Sequence, residues 1–344
     1  DGPFGDDMNR NWPSDWQPNY IQFGAGPYPL SAPETRAIAE FIRAHPNIAA
    51  GQSYHNSGGM ILRGPGTSYR NPMYANADAR VYDELAQTGE LLLPYYRDMV
   101  IYRDLYNVHG GFVNFLAEGL GVFSFTNEMW ASGKMFQKDI RVDEDKQWLW
   151  RDRMALGQTF TDYTEYQHPT YGNVLIGGPN KWSSRNTPTF MLEEECHRNF
   201  AFTTFHADHM PLLRFKRTEV EDMGGGLWQV TVEIANEKLI PTRSAMAQNR
   251  GIGAADILET IPPEGGRVVA AGRLSGWLDR QMSAVRHEPH RLQVEEGIPS
   301  QGSRIFRLLV EGAAGEVVTL RYAAEKALDI ETTVTLEAPA EGAP

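Results

Sequence analysis

Apolar positions recur with two different periods along this chain, and the change from one to the other falls near residue 210. Upstream, Ser31-Ala32-Pro33-Glu34 has the form of a capping box with proline at the first helical position. Ala37, Ile38, Phe41 and Ile42 then mark one face of a helix that should end near His45-Pro46. A second helix is predicted over Tyr74 to Gln87, with Ala75, Ala79, Tyr82 and Leu85 near helical spacing, and a long one over Pro188 to His209, acidic in its first turns. Between them lie short apolar runs that read as strands of an internal sheet. Ile48 to Tyr54 carries His55 at its carboxyl end, Met60 to Leu62 follows, and Val122 to Thr126, bounded by Gly119 and Gly121, stops just before Glu128.

Beyond Met210-Pro211 the period becomes two. Trp228, Val230, Val232 and Ile234 alternate with polar residues, and the pattern recurs at Val318-Leu320-Tyr322 and Ile330-Thr332-Val334-Leu336. The expected fold class is therefore α/β, a mixed sheet flanked by helices over residues 1–210, followed by an all-β sandwich over 211–344 whose last residues, Ala338 to Pro344, fray.

Composition narrows the functional classes. Apolar residues at 41% and aromatics at 11% suffice for ordinary cores. The longest apolar run falls short of the about 18 residues that a bilayer span needs. A net charge of −12 argues against nucleic acid or an anionic membrane as the main partner. Cys196 is the sole cysteine, so neither an internal disulfide nor a thiolate zinc cluster forms, and packing is its expected role. The opening Asp1-Gly2 points to a processed, cleaved or truncated product.

Four polar positions stand out on loops or strand ends: Asn9-Arg10, His55, Tyr106 and Glu128. A peptidase acting at a C-terminus must grip a free carboxylate, and a planar guanidinium does so with two parallel hydrogen bonds. It must also polarise a carbonyl and deprotonate a water, tasks suited to a zinc ion on three protein ligands with a carboxylate beside it. Arg10, His55 and Glu128 are of the required types.

Their order and spacing resemble the zinc carboxypeptidases of the carboxypeptidase A type, most closely from Asp7 to Glu128 and more weakly on to His209. The hexapeptide Asp7-Met8-Asn9-Arg10-Asn11-Trp12 is similar to that family's carboxylate clamp, which implies that Asn9 and Arg10 bind the substrate's terminal carboxylate. Ser53-Tyr54-His55 matches the context of a zinc-ligating His. Tyr106, followed by Gly110-Gly111, stands at the family's spacing from the catalytic Glu and corresponds to the tyrosine that closes over the substrate. Ser124-Phe125-Thr126-Asn127-Glu128 matches the end of the catalytic strand, making Glu128 the general base. Val113 falls at the floor of the side-chain pocket and implies hydrophobic or small C-terminal residues, with His109 a nearby complication.

The family's other two zinc ligands belong to a His-x-x-Glu motif that none of the nine histidines here provides. The resemblance thus implies Zn2+ as cofactor, a peptide with a free C-terminal carboxylate as substrate, and an N-terminal fragment of the same protein supplying two ligands. It also implies secretion. Three alternatives stay open: a peptidoglycan stem-peptide hydrolase, an enzyme removing acyl groups from amino acids, and a non-catalytic peptide-binding relative. Glu194-x-x-His197 and His206-x-x-His209 have metal-compatible spacing but are expected to be helix surface or domain interface, and His287-Glu288-Pro289-His290 a loop.

Overall fold

Four short strands, β1 (Ala50–Asn56), β2 (Met60–Arg63), β3 (Arg97–Val100) and β4 (Phe123–Met129), form a mixed sheet in the order β1-β4-β2-β3. The computed structural model describes residues 5–56, 58–68, 74–131, 143–183, 185–285 and 287–337. β4 is parallel to β1 and antiparallel to β2, and Phe123 to Phe125 are buried as befits a central strand. Helices α1 (Pro33–Ala44), α2 (Asn76–Leu92), α3 (Ile101–Asp104) and α4 (Phe112–Asn114) surround it, with α5 (Glu144–Met154) and α6 (Leu192–Asp208) after β4. Val81, Tyr82 and Leu85 of α2 meet Ile61, Phe125 and Phe202 of α6 in one core. A Cβ on Gly89 would lie 2.8 Å from Ile61 and 2.7 Å from Phe202, so glycine there lets α2 approach the sheet closely.

Several local expectations shift. The helix cap is not a capping box: Ala32 is the N-cap, and the Ser31 hydroxyl instead accepts a bond from Asn11 at 2.9 Å. β1 and β4 run further than their apolar residues indicate, so His55 and Glu128 lie inside strands rather than after them. The final helix starts at Leu192, preceded by a 3₁₀ turn over Thr189–Met191. Cys196 is exposed rather than packed, because it faces outward from α6. His197 is exposed too, whereas His206 is buried against Phe125 and Phe202 and is not surface. Of the polar, tryptophan-rich segment 134–153, residues 134–142 lie outside the described residues and the remainder forms α5. An exposed hairpin follows, β5 (Phe160–His168) with β6 (Gly172–Pro179), which the periodicity does not announce.

Burial lowers the His206 pKa to about 4, with His209 adding a smaller push in the same direction. An unfolded chain takes up this proton near pH 6.5 and the folded one resists it, so the stability is present above 6.5 and is lost as the pH falls toward 4. Denaturant midpoints should therefore show a loss of about 2 kcal/mol between pH 7 and 5, a loss that His206→Leu removes.

Two antiparallel sheets follow. The first, in the order β11-β10-β13-β8-β7, comprises β7 (Leu213–Asp222), β8 (Leu227–Asn236), β10 (Arg267–Leu274), β11 (Ser283–Val285) and β13 (Ser303–Glu311). The second, β12-β9-β14-β15, comprises β9 (Asp256–Ile261), β12 (Arg291–Val294), β14 (Val317–Ala323) and β15 (Ile330–Thr335). The alternating residues Trp228, Val230, Val232, Ile234, Val318, Leu320 and Tyr322 all enter the shared core between these sheets. His287 to His290 lies in the loop before β12.

The sandwich grips the helical unit through α7 (Ala245–Arg250). Leu239 and Ile240, just ahead of it, join the core around Phe125. The buried Asp78 of α2 accepts the backbone N–H groups of Ala245 and Met246, both at 2.8 Å, and Ser244 donates to the Gly121 carbonyl at 3.0 Å. These contacts brace the start of β4, at the end opposite Glu128. Asp78→Ala strands two backbone donors and should lower unfolding free energy by about 2 kcal/mol, read by chemical denaturation.

Candidate active site

Parallel pairing of β1 with β4 sets His55 directly across from Glu128. Period-two alternation then assigns the two faces of the sheet. Gln52, Phe125 and Asn127 face α6, where Asn127 donates to Asn199 at 2.9 Å. Ser53, Ser124 and Thr126 face the other way, with Ser53 and Thr126 hydroxyls 2.7 Å apart. His55 and Glu128 share that second face. The His55 Nδ1 lies 3.8 Å from Glu128 Oε1, too long for a hydrogen bond.

Their electrostatics suit a reactive pair. Burial pushes the Glu128 carboxyl up to about 7, with the positive charge of Arg10 pulling against it. Burial also lowers the His55 pKa, opposed by Asp7 and assisted by Arg10. At neutral pH the imidazole is therefore neutral, the form in which it ligates a metal. Arg10 is felt at both residues, which brings the guanidinium, the imidazole and the carboxyl into one neighbourhood.

The Asn9-Arg10 segment is fixed from several sides. It forms a single 3₁₀ turn over Met8–Arg10, capped by Asp7, whose carboxylate accepts the Asn9 N–H at 2.8 Å. Asp7 is thus an acidic N-cap at the head of the turn, a role beyond those the sequence assigns to Asn9 and Arg10. The Asn9 side-chain oxygen accepts the Phe112 N–H at 2.9 Å, and Arg10 donates to the Asn9 carbonyl at 2.8 Å. Asn11 is wholly buried and bonds to Ala25, Tyr28, Ser31, Ala32 and Thr35. Trp12 packs against Phe112 and Phe115, with ring centroids 4.7 and 5.3 Å away. The hexapeptide thus couples an interior anchor, Asn11-Trp12, to the two polar side chains before it.

The loop holding Tyr106 docks onto this same segment. Gly110 has φ +63°, its carbonyl accepts the Trp12 N–H at 3.0 Å, and a Cβ on it would collide with the Arg10 carbonyl. Tyr106 itself is 58% exposed, and its backbone N–H donates to Ile101 at 3.2 Å. Val113 is buried with Leu62, Ile101 and Val108 in a small apolar cluster. His109 is buried with its Nδ1 3.1 Å from an Asp15 carboxyl oxygen.

Residues 2–149 match the family described as zinc carboxypeptidase. That segment, which holds Asn9, Arg10, His55, Tyr106 and Glu128, is thus similar to the zinc carboxypeptidases. Residues 212–335 match a second family, described as a domain of unknown function. Among solved structures, the carboxypeptidase A of Helicoverpa armigera is 18% identical with a TM-score of 0.37, covering 59% of this chain and 41% of its own. Bovine thrombin-activatable fibrinolysis inhibitor, solved with a tick carboxypeptidase inhibitor, is 25% identical with a TM-score of 0.31, covering 36% of this chain and 45% of its own. The chain therefore spans less than half of either. No curated protein matches it.

The donor set can be weighed against the family's metal. Catalytic zinc needs three protein ligands, and the described residues hold no group of three or more His, Cys, Asp or Glu able to bind an ion. His55 and Glu128 together offer two possible donors, so the residues described do not by themselves complete a zinc site. No helix among them is long and apolar enough to cross a membrane.

Proposed function

We propose that this carboxypeptidase unit hydrolyses the C-terminal peptide bond of peptides, with its zinc donors beyond His55 supplied from outside the chain. The observation that carries the reading is the pairing of His55 with Glu128 on one sheet face under the field of Arg10. A further support is that β1, the strand bearing His55, forms an edge of the described sheet, where a strand can add.

In this reading Arg10 and the Asn9 side-chain amide hold the substrate's terminal carboxylate. Asn9 suits this, because its side-chain oxygen is committed to Phe112, which leaves the NH2 group as the donor for a carboxylate. Tyr106 closes over the bound end from its exposed loop. Glu128 takes a proton from the attacking water and returns it to the leaving amine, a task matched by a carboxyl pushed up to about 7. Zinc, if held by His55 with donors from outside the chain, would supply Lewis acidity toward the scissile carbonyl. The apolar surroundings of Val113 favour a hydrophobic or small terminal residue over a charged one, which would be buried unpaired. We place this work outside the cytoplasm on the family match alone.

The test is trimming of a peptide library by the polypeptide isolated with its associated segments, read by mass spectrometry. Stepwise loss of single C-terminal residues is expected, hydrophobic ahead of basic, stopped by a chelator and restored by zinc. Internal cleavage would overturn the proposal, and retained binding without trimming would favour a peptide-binding shell.

A further inference from the structure

A cavity of about 420 Å³ opens on the α6 face of the sheet, opposite the face that carries His55 and Glu128. Its position follows from a backbone reversal. Trp130, just past the end of β4, has φ +74°, a conformation that bulky residues rarely adopt. Neighbours on three elements hold it there: its N–H donates to Glu195 Oε1 at 3.0 Å and to the Tyr96 hydroxyl at 3.1 Å, and its carbonyl accepts the Gly58 N–H at 2.9 Å. The turn sends the indole to the α6 side, where it meets Trp150 with ring centroids 5.8 Å apart.

The cavity wall is aromatic, formed by Tyr95, Tyr96, Trp130, Trp150 and Phe190. Two carboxylates also face it. Glu194 is neutralised by Arg198, at 2.7 Å. Glu195, half-buried, accepts from the Tyr96 hydroxyl and the Trp130 N–H, yet has no cationic partner among the described residues. An anion would be repelled by this carboxylate, and a purely apolar ligand would strip its water without compensation. The described residues here hold no donor set for a bare metal ion. An alkylammonium answers both features, with its stem and head against ring faces and its charge near Glu195. The volume is within the roughly 300–1,000 Å³ of small-ligand sites.

We propose that this aromatic cavity, walled by Trp130, Trp150 and Tyr95 with Glu195 at its side, binds a lysine-type alkylammonium side chain of a peptide or protein ligand. The site is independent of the proposed hydrolysis, because it lies on the other face of the sheet and uses none of the same residues.

The test is tryptophan-fluorescence titration of the chain with Nα-acetyl-lysine methylamide, its ε-trimethyl form and the neutral isostere Nα-acetyl-norleucine methylamide. Both cations should quench emission saturably, with the isostere about tenfold weaker or more. Glu195→Gln should bring the cations down to the level of norleucine. Because Glu195 also holds Trp130, Trp150→Leu provides a second variant that leaves the carboxylate network in place, and it should weaken the trimethyl form at least fivefold, on the order expected for loss of one ring face. Equal binding of norleucine, absence of saturable quenching by the cations, or cation affinity unchanged in both variants would each overturn the assignment.

Discussion

Glu128→Gln, in the protein with its zinc site completed, is expected to lower turnover of a C-terminal peptide bond by about 10²–10⁴-fold while leaving peptide affinity within about twofold. Glutamine keeps the shape of the side chain but cannot accept the water's proton, so the loss should fall on kcat and not on KM. The fold should tolerate the change. Burial already pushes this carboxyl up to about 7, which marks its ionised form as poorly solvated, and a neutral amide relieves that cost. Steady-state kinetics beside a thermal melt checks both halves. Residual turnover near the parent's would remove Glu128 from the role of base, and a large fall in Tm would mean that the loss of activity is structural.

Gly110→Ala should have the second large effect, and it acts through the clamp. Two costs coincide at this position: φ is +63°, and the new Cβ would run into the backbone carbonyl of Arg10, which cannot move aside as a flexible side chain would. Left-handed strain costs about 1–2 kcal/mol and overpacking about 1–3 kcal/mol more. Relief requires moving the Arg10 backbone or the Tyr106 loop, and either shift displaces the guanidinium. The expected result is a destabilisation of about 2–4 kcal/mol together with weaker binding of peptides that carry a free C-terminus. Gly111→Ala is the control: its Cβ would meet nothing closer than 3.5 Å, so it should bind as the parent does. Chemical denaturation and calorimetric titration of the two variants separate the outcomes.

The chain displays its architecture openly where burial and periodicity agree. The sandwich strands alternate because one face is buried and the other wet, so Trp228 to Ile234 and Val318 to Tyr322 announce their core directly. β4 announces itself by the aromatic and β-branched residues Val122, Phe123, Phe125 and Thr126 set between Gly121 and Glu128. What stays hidden has physical causes. The ends of β1 and β4 are polar, so hydrophobicity alone ends those strands too early and leaves His55 and Glu128 outside them. Ser31 looks like half of a capping box, yet its hydroxyl is claimed by Asn11, a residue distant in sequence whose demand no local pattern reveals. His206 and Cys196 exchange their expected environments because α6 is only weakly amphipathic. The exposed hairpin of β5 and β6 has no core to pattern it.

The candidate site is legible to a different degree. Asn9, Arg10, His55 and Glu128 come from loop and strand-end positions of suitable chemistry, and their grouping depends on a parallel strand register that only the fold supplies. Asp7 and Gly110 act through backbone contacts whose partners, Asn9 and Arg10, only the folded chain brings to them. The cavity beside Trp130 depends on two left-handed residues, Tyr95 and Trp130, and on rings from four separate segments.

The measurement that bears most directly on the carboxylate clamp compares one peptide as the free acid and as the C-terminal amide, titrated calorimetrically into this chain and into Arg10→Met. A clamp built from Arg10 and Asn9 should favour the free acid by about tenfold or more, and Arg10→Met should erase that preference while leaving amide binding unchanged. Equal affinity for acid and amide, or a preference that survives the loss of Arg10, would contradict the account at its centre.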